Sequence, residues 1–266
     1  MAITTFIPEL WAARLLNHYT RKTVVARLLN RNYEGLIQQY GDTVHINSLA
    51  DITVKKYTPN VDIDDPEQLS TEDQVLSIDH GAYYNFYIDD VDKAQARGEL
   101  MDAAMSNAAD RLAQDTEDYV ISVLLAGAKA GGSGALTKDN TYEAILSLKT
   151  KMDEGNVPRE GRKLIVPPAV EGFLLLDNRF VTGGKGENRL TEGAVARAAG
   201  FDIYMSTGLT DTMIAMRSED ATFANQITKI EAYRPEKKFA DGVKGLALCG
   251  AKVTNPDGVY KYTIGA

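Results

Sequence analysis

Residues 89–126 read DDVDKAQARGELMDAAMSNAADRLAQDTEDYVISVLLA and form the longest helical pattern in the chain. Their apolar and small residues recur at alternating intervals of three and four, the spacing that places side chains on one face of an α-helix. Asp89 and Asp90 are suitable N-caps, because their carboxylates can accept hydrogen bonds from the free N–H groups of a first turn. The spacing predicts one helix that ends near Ala126 and is about 50 Å long.

The predicted helix has a face of small residues, chiefly alanine and methionine, which runs from Ala94 through Met101, Met105 and Ala108 to Leu112. Small side chains allow neighbouring elements to approach the helix closely. The face also lacks the sustained leucine and isoleucine of a coiled-coil seam. We therefore expect a spine that packs within a domain core.

Two segments before the helix alternate apolar and polar residues, which is the pattern of strands with one buried face. The first extends from Val44 to Val54, and the second extends from Leu76 through Tyr84 to Ile88. We expect the two segments to pair as a long β-hairpin.

The connection between these two segments, residues 58–73, contains six acidic residues and no basic residue, which predicts a solvated loop. A long two-stranded ribbon is only marginally stable alone in water. The ribbon must therefore pack on something, and a neighbouring copy of the chain suits so long an arm.

The N-terminal segment has an interrupted helical pattern around Pro8, Trp11 and Leu15, which predicts two short helices or a helix and an arm. Trp11 is the only tryptophan in the sequence. Two interpretations stay open: the segment docks on its own core, or it is an arm that docks on a neighbour.

Glycines in residues 127–134 predict a flexible joint and a domain boundary after the spine. Helices and strands alternate beyond this joint, which predicts a mixed α/β domain. The predicted helices are residues 141–154, an apolar helix through residues 173–176 and a small helix near residues 191–199. The predicted strands are residues 164–166, 201–205, 213–216 and 227–233.

The C-terminal residues predict a hairpin that closes a sheet. Apolar residues dominate 243–253 and 259–264, and Asn255-Pro256-Asp257-Gly258 between them has the composition of a turn.

Composition excludes several classes of function. The net charge of −8 gives a surface that repels phosphate, so sequence-specific nucleic-acid binding is not expected. The sequence has neither an apolar run long enough to span a membrane nor a secretory signal pattern. Cys249 is the only cysteine, so no intrachain disulfide is expected, and its apolar neighbours predict a buried core thiol.

Motifs for catalysis, metals and cofactors are also missing from the sequence. The glycines around Lys185 lack the hydroxyl residue of a phosphate-binding loop. His18, His45 and His80 are too far apart in sequence to have zinc-site spacing. The acidic loop lacks the turn glycine and the terminal glutamate of a calcium loop. The sequence therefore predicts no catalytic residue, no metal site and no cofactor.

The predicted order of elements resembles the HK97-type fold of the major capsid proteins of tailed double-stranded DNA phages. The resemblance covers nearly the whole chain and depends on this order rather than on one signature. Its most recognisable stretches are residues 6–11, 30–35, 41–44, 190–206 and 255–259.

This resemblance implies an α+β, HK97-like capsid fold with five parts. They are an N-terminal arm (1–42), an extended β-hairpin loop (43–89), a peripheral domain with the spine helix (90–129), an axial domain (130–225) and a return to the peripheral sheet (226–266).

The resemblance also implies a structural protein without enzymatic activity. It would self-assemble into pentamers and hexamers of an icosahedral phage head that encloses double-stranded DNA. The expected partners are other copies of the chain, a portal protein and a decoration protein, with no membrane partner. The lack of a long fused scaffolding segment implies either a separate scaffolding protein or prior cleavage. The expected location is the virion capsid, after assembly in the host cytoplasm.

Candidate inter-subunit contacts follow from the same resemblance, in the arm, at the acidic loop tip and in a glycine-rich loop near the ring axis. The candidates are Trp11, Asp62, Asp64, Asp65, Glu67, Gly183, Lys185 and Arg189. Two other functions stay open: an encapsulin-like nanocompartment shell with the same fold, and a soluble α/β enzyme that forms a discrete oligomer.

Overall fold

The computed structural model describes residues 23–33, 43–49, 71–89, 100–177 and 194–265, together with isolated positions between residues 52 and 68. The α-helices of these residues are α1 (Val25–Leu28), α2 (Leu100–Gly127), α3 (Thr141–Glu154) and α4 (Pro168–Leu176). The first five strands are β1 (Thr43–Leu49), β2 (Thr71–Ser77), β3 (His80–Asp89), β4 (Lys129–Gly134) and β5 (Arg162–Val166). The others are β6 (Ala194–Ala198), β7 (Phe201–Met205), β8 (Thr212–Arg217), β9 (Ala221–Tyr233), β10 (Ala240–Val253) and β11 (Tyr260–Ile264).

The strands of the described residues form three sheets. The strands β1 and β2 pair alone, and β3-β10-β9 form a three-stranded antiparallel sheet. The third sheet has six strands in the order β4-β11-β8-β5-β7-β6. It is mixed, because β4 runs parallel to β11 and β5 runs parallel to β7.

The spine helix is confirmed as α2, which ends at Gly127, although residues 90–99 of the predicted helix lie outside the described residues. One part of its buried face, which includes Met105 and Leu112, packs against Val243 of the three-stranded sheet. A later part, which includes Val120, packs in one cluster with Ile214 of the six-stranded sheet. The helix therefore joins the cores of both sheets.

The six-stranded sheet has apolar residues on both faces. The helices α3 and α4 cover one face, where Ile145, Leu148 and Leu174 pack with Leu164. On the other face, Ile165 packs in the cluster that contains α1 and the later part of α2. The predicted helix 141–154 is confirmed, and so is the burial of Cys249, whose thiol pKa burial raises to about 12.

The second alternating segment does not form one hairpin strand. Only β2 pairs with β1, in a register that runs from Thr43 opposite Ser77 to Leu49 opposite Thr71. The rest of the segment is β3, which pairs with β10 from His80 opposite Cys249 onward. The prediction was wrong because both sheets require the same period of two, so the pattern does not identify the partner strand.

The predicted glycine joint is wrong, because residues 129–134 form the strand β4 beside β11. The glycines are needed because neighbouring side chains approach the β4 backbone closely, and they do not make the segment a flexible joint. A Cβ atom on Gly131 would lie 2.5 Å from Cδ2 of Leu148, and one on Gly132 would lie 2.9 Å from the ring of Tyr262. Glycine in a strand can mark such a close approach, and a larger residue would displace these neighbours.

The small helix predicted near residues 191–199 is also wrong, because Ala194–Ala198 is the strand β6, antiparallel to β7. Ala199 and Gly200, which join the two strands, have φ values of 50° and 90°. Two positive φ values in a two-residue connection are typical of a tight hairpin turn, and Gly200 adopts one without steric cost. The alanine-rich composition had favoured a helix.

The predicted C-terminal hairpin is wrong as well. The strand β10 pairs with β3 and β9, whereas β11 pairs with β4 and β8 in the other sheet. Between them, Thr254 and Asn255 donate backbone hydrogen bonds to the carbonyl oxygen of Asp220 at 2.9 and 3.0 Å. The side chain of Asn255 also donates to the Asp220 carboxylate, and Gly258 packs against that carboxylate. Asp220 thus fixes the connection from one sheet to the other.

Candidate inter-subunit surfaces

The β1–β2 hairpin is attached to the body of the subunit at its root. Val44 and Leu76 pack in one buried cluster with Leu248 of β10. Two hydrogen bonds reinforce this packing, because Gln74 donates to the Thr254 carbonyl oxygen and Lys252 donates to the Val75 carbonyl oxygen, each at 2.9 Å. The strand β2 therefore lies along the C-terminal end of β10.

Beyond this root the hairpin exposes apolar side chains. The exposed fractions are 65% for Ile52, 93% for Val54 and 71% for Tyr57. Single exposed apolar residues are ordinary on protein surfaces, but several within one short segment are typical of a contact surface.

The structure describes two of the residues that the sequence indicated as contacts. Asp62 and Asp65 are both exposed in the connection between β1 and β2. The other candidates, which lie outside the described residues, are Trp11, Asp64, Glu67, Gly183, Lys185 and Arg189.

The junction between the hairpin and β3 is attached to the spine by a group of polar and aromatic side chains. The Nε2 atom of His80 lies 2.6 Å from a carboxylate oxygen of Asp115, and the His80 ring stacks on Tyr119 with centroids 4.4 Å apart. The Tyr119 hydroxyl donates to Asp79 at 2.7 Å, and burial together with that carboxylate raises the pKa of Tyr119. The sequence pattern does not reveal this group, because its members come from separate segments.

The outer face of the three-stranded sheet, opposite the spine helix, carries aromatic and charged side chains. Tyr83 is 80% exposed, and Tyr87 two residues later is 49% exposed. Tyr233 lies across Gly242 and donates a hydrogen bond to the Asn85 side chain at 2.7 Å. This face is therefore ordered by contacts among its own side chains and is exposed to solvent in the isolated chain.

The turn between β9 and β10, residues 234–239, reads RPEKKF and combines three basic residues with an exposed aromatic ring. Phe239 is 84% exposed, and the Nζ atom of Lys238 lies 4.0 Å from the ring centroid of Tyr87. We name residues 234–239 the basic turn. The basic turn was not predicted, although its basic and aromatic composition is a usable signal in the sequence.

The later part of the predicted arm, which contains α1, is anchored to the body of the subunit by a buried carboxylate. Glu117 of α2 is 8% exposed, and it accepts hydrogen bonds from the backbone N–H groups of Val25 at 2.9 Å and Ala26 at 3.1 Å. Burial raises the pKa of Glu117, and these hydrogen bonds oppose that shift. At the other end of α1, Lys163 donates to the Leu28 carbonyl oxygen at 3.0 Å. Both ends of α1 are therefore fixed to the body.

Among the described residues, no group of three or more histidine, cysteine or acidic side chains has the geometry of a metal site. No helix within those residues is long and apolar enough to cross a membrane.

Comparisons with known proteins agree on one family. A family model described as phage capsid protein matches residues 72–262. A solved structure from Mycobacterium phage Che8 is 27% identical in sequence, with a TM-score of 0.73 over 90% of each chain. No curated protein sequence matches the chain significantly.

More distant solved structures share the fold. The capsid structure of cyanophage P-SCSP1u is 16% identical, with a TM-score of 0.72 over 91% of this chain and 88% of that one. A virus-like particle from Pyrococcus furiosus is 15% identical, with a TM-score of 0.61 over 94% of this chain and 96% of that one.

The family match decides between the interpretations that share this fold. The matching model covers most of the chain and describes phage capsid proteins. The encapsulin-like alternative is therefore not favoured. The predicted α+β, HK97-like fold and the structural role are confirmed. The chain belongs to the phage capsid protein family and is a structural major capsid protein with an HK97-like fold.

Proposed function

We propose that this chain forms pentamers and hexamers of an icosahedral phage head that encloses double-stranded DNA. The observation that carries the proposal is the hairpin. Its root is buried against β10, whereas Ile52, Val54 and Tyr57 beyond the root are exposed. An arm that is fixed at its base and exposes several apolar side chains beyond it gains its burial from a neighbouring copy.

The parts of the chain have separate roles in this proposal. Residues 1–42 contain the arm, although α1 within them is fixed to the body of the subunit. Residues 43–89 contain the extended loop, 90–129 contain the peripheral spine, and 130–225 form the axial domain. Residues 226–266 return to the peripheral sheet, except that β11 pairs with β4 and β8 and so joins the axial sheet.

The subunit contacts follow from this assignment. The acidic tip with Asp62, Asp64, Asp65 and Glu67 contacts basic residues of a neighbour, and Trp11 docks with the arm on another copy. The loop with Gly183, Lys185 and Arg189 lies near the axis of each ring.

The remaining partners are a scaffolding protein, a portal protein and a decoration protein, and assembly takes place in the host cytoplasm. The role requires no catalysis, because the family relationship alone accounts for a shell subunit. The net charge of −8 supports a wall that does not adhere to packed DNA.

Negative-stain electron microscopy of the expressed chain tests the proposal. We expect shells or open tubes built of ring-shaped capsomers. A matched variant in which a short turn replaces residues 50–70 should keep its fold by circular dichroism and lose these particles. Small uniform oligomers from the unaltered chain would contradict the proposed function.

A further inference from the structure

Three connections between the two larger sheets meet at one corner of the subunit. The chain passes there from α2 into β4, from β8 into β9 and from β10 into β11. The backbone N–H group of Lys129 donates to the Val259 carbonyl oxygen at 2.9 Å, which ties the first connection to the third. The hydrogen bonds of Thr254 and Asn255 to the Asp220 carbonyl oxygen tie the third to the second. We name residues 127–129, 218–220 and 254–259 the sheet joint.

The Asp220 side chain is buried inside the sheet joint, and the residue is 4% exposed. Its Oδ1 atom accepts a hydrogen bond from the Asn255 side chain at 3.1 Å. Its Oδ2 atom is buried against Gly258 and has no hydrogen-bond partner among the described residues. A carboxylate without full compensation is costly to bury, whereas the neutral acid costs much less.

The surroundings of Asp220 favour this neutral acid. Burial raises the pKa of the carboxyl, and the hydrogen bond from Asn255 opposes the rise. The positive charge of Arg217 also opposes it, whereas Glu219 on the same turn adds to the rise. Arg217 and Glu219 form an ion pair with each other, so the cation is shared between two carboxylates.

The charged side chains of the facing segments are engaged elsewhere. Asp257 pairs with Lys129 at the start of β4, and both side chains are at least half exposed. Lys252 at the end of β10 donates to the Val75 carbonyl oxygen at 2.9 Å, at the root of the hairpin. These contacts leave the Asn255 amide as the side-chain hydrogen-bond donor to the Asp220 carboxylate within the described part of the chain.

We propose that Asp220 is a pH-sensitive switch that controls how firmly the sheet joint is closed. With a proton bound, the carboxyl packs against Gly258 without a buried charge, and the hydrogen bonds between residues 218–220 and 254–259 stay formed. When the proton is lost, the charged oxygen requires hydration, which favours local opening of the joint. The switch is a property of the folded subunit and does not depend on the proposed shell.

The joint should loosen as the pH rises. The pKa of aspartate in an unfolded chain is about 3.9, and the pKa of folded Asp220 lies above that value. Between these two values the closed joint binds the proton more tightly than the open one. The free energy of opening is therefore highest below the unfolded value and falls as the pH rises through the folded value.

Hydrogen–deuterium exchange of the full-length, unassembled chain tests the proposal. After correction for the intrinsic exchange rate, the N–H groups of Thr254 and Asn255 should lose protection by about threefold or more from about pH 4.5 to about pH 8. Asp220→Asn, which has the same shape and cannot ionise, should keep the same protection over this range. Asp257→Asn, which changes an exposed carboxylate of the same connection, should behave as the unaltered chain.

Two results would overturn the proposal. One is equal protection of the joint at both ends of the pH range in the unaltered chain. The other is a loss of protection in Asp220→Asn as large as in the unaltered chain.

Asn255→Ala gives a second test that does not depend on the folding of Asp220→Asn. This substitution removes a hydrogen bond that favours the charged carboxylate, so the loss of protection with rising pH should be larger than in the unaltered chain. The N–H group of residue 255 remains as a reporter. If Asn255→Ala lowered protection by the same factor at every pH, Asn255 would have only a structural role and the switch would be refuted.

Discussion

The six-stranded sheet and the hairpin use the same kinds of apolar residue in opposite ways. In β5, Leu164, Ile165 and Val166 are all fully buried, whereas Ile52 and Val54 of the hairpin are 65% and 93% exposed. A sheet covered on both faces suits continuous apolar runs, because every side chain finds a partner. Among its described residues, the hairpin has such partners only at its root. The first region therefore gains its stability within one chain, whereas in the proposed assembly the second gains its burial from other copies.

The largest expected effect is a difference in unfolding free energy when isoleucine is replaced by alanine in each of the two regions. Ile165→Ala should lower the free energy of unfolding of the unassembled subunit by about 2 to 5 kcal/mol, because it leaves a cavity beneath α1 and α2. Ile52→Ala should change that free energy by less than about 0.5 kcal/mol, because its side chain is largely solvated. Urea unfolding monitored by circular dichroism measures both.

Among folded subunits, particle formation should be weakened by Ile52→Ala, the variant that has little effect on stability. Ile52→Ala should weaken particle formation although its subunit is as stable as the unaltered one. If Ile52→Ala instead destabilised the isolated subunit as much as Ile165→Ala, the hairpin would be packed on its own chain and the contrast between the regions would be lost.

The second prediction tests whether α1 belongs to the self-contained region. Glu117→Ala leaves the buried N–H groups of Val25 and Ala26 without their acceptor, which should cost about 1 to 3 kcal/mol of unfolding free energy. Glu117→Gln keeps one acceptor oxygen and is the matched control with a smaller loss. Limited proteolysis should show faster cleavage at Arg27 in Glu117→Ala, and equal cleavage in all three proteins would contradict this anchoring role.

The third prediction concerns pH and the six-stranded region. Hydrogen bonds from Lys149 and Arg162 lower the pKa of Asp153 to about 2. Since the pKa in the unfolded chain is about 3.9, the stabilisation from this carboxylate is complete above that value and is lost as the pH falls toward the folded value. Asp153→Asn should therefore lose less stability than the unaltered chain between pH 5 and pH 2.5, as measured by urea midpoints. Parallel pH dependence in the two proteins would exclude this contribution.

The spacing of apolar residues predicted those elements whose secondary structure does not depend on distant partners. The spine follows from the spacing of residues such as Met105 and Leu112, and the root of the hairpin follows from the alternation around Val44 and Leu76. In both cases the apolar period alone specifies the secondary structure and the buried face.

Elements that depend on distant partners were not predictable. The glycines of β4 are required by Leu148 and Tyr262, which a local pattern does not reveal. Alanine-rich β6 is a strand because β7 pairs with it, so tertiary contacts override its helix propensity. The acidic tip was predicted from its charge, whereas the basic turn, with the exposed Phe239, was missed because Arg234 and the two lysines surround a glutamate.

The smallest expected effect concerns a polar contact on the hairpin. The Nδ1 atom of His45 lies 2.6 Å from a carboxylate oxygen of Asp73 across the β1–β2 pair, and both side chains are about half exposed. Exposed pairs of this kind contribute about 0 to 1 kcal/mol, because solvent screens the charges and ordering the side chains costs entropy. His45→Gln should therefore shift the unfolding free energy of the unassembled subunit by less than about 0.5 kcal/mol. The neighbouring Val44→Ala, which removes buried apolar volume at the root, should cost about 1 kcal/mol or more. If His45→Gln proved the more destabilising of the two, polar contacts rather than burial at the root would hold the hairpin to its subunit.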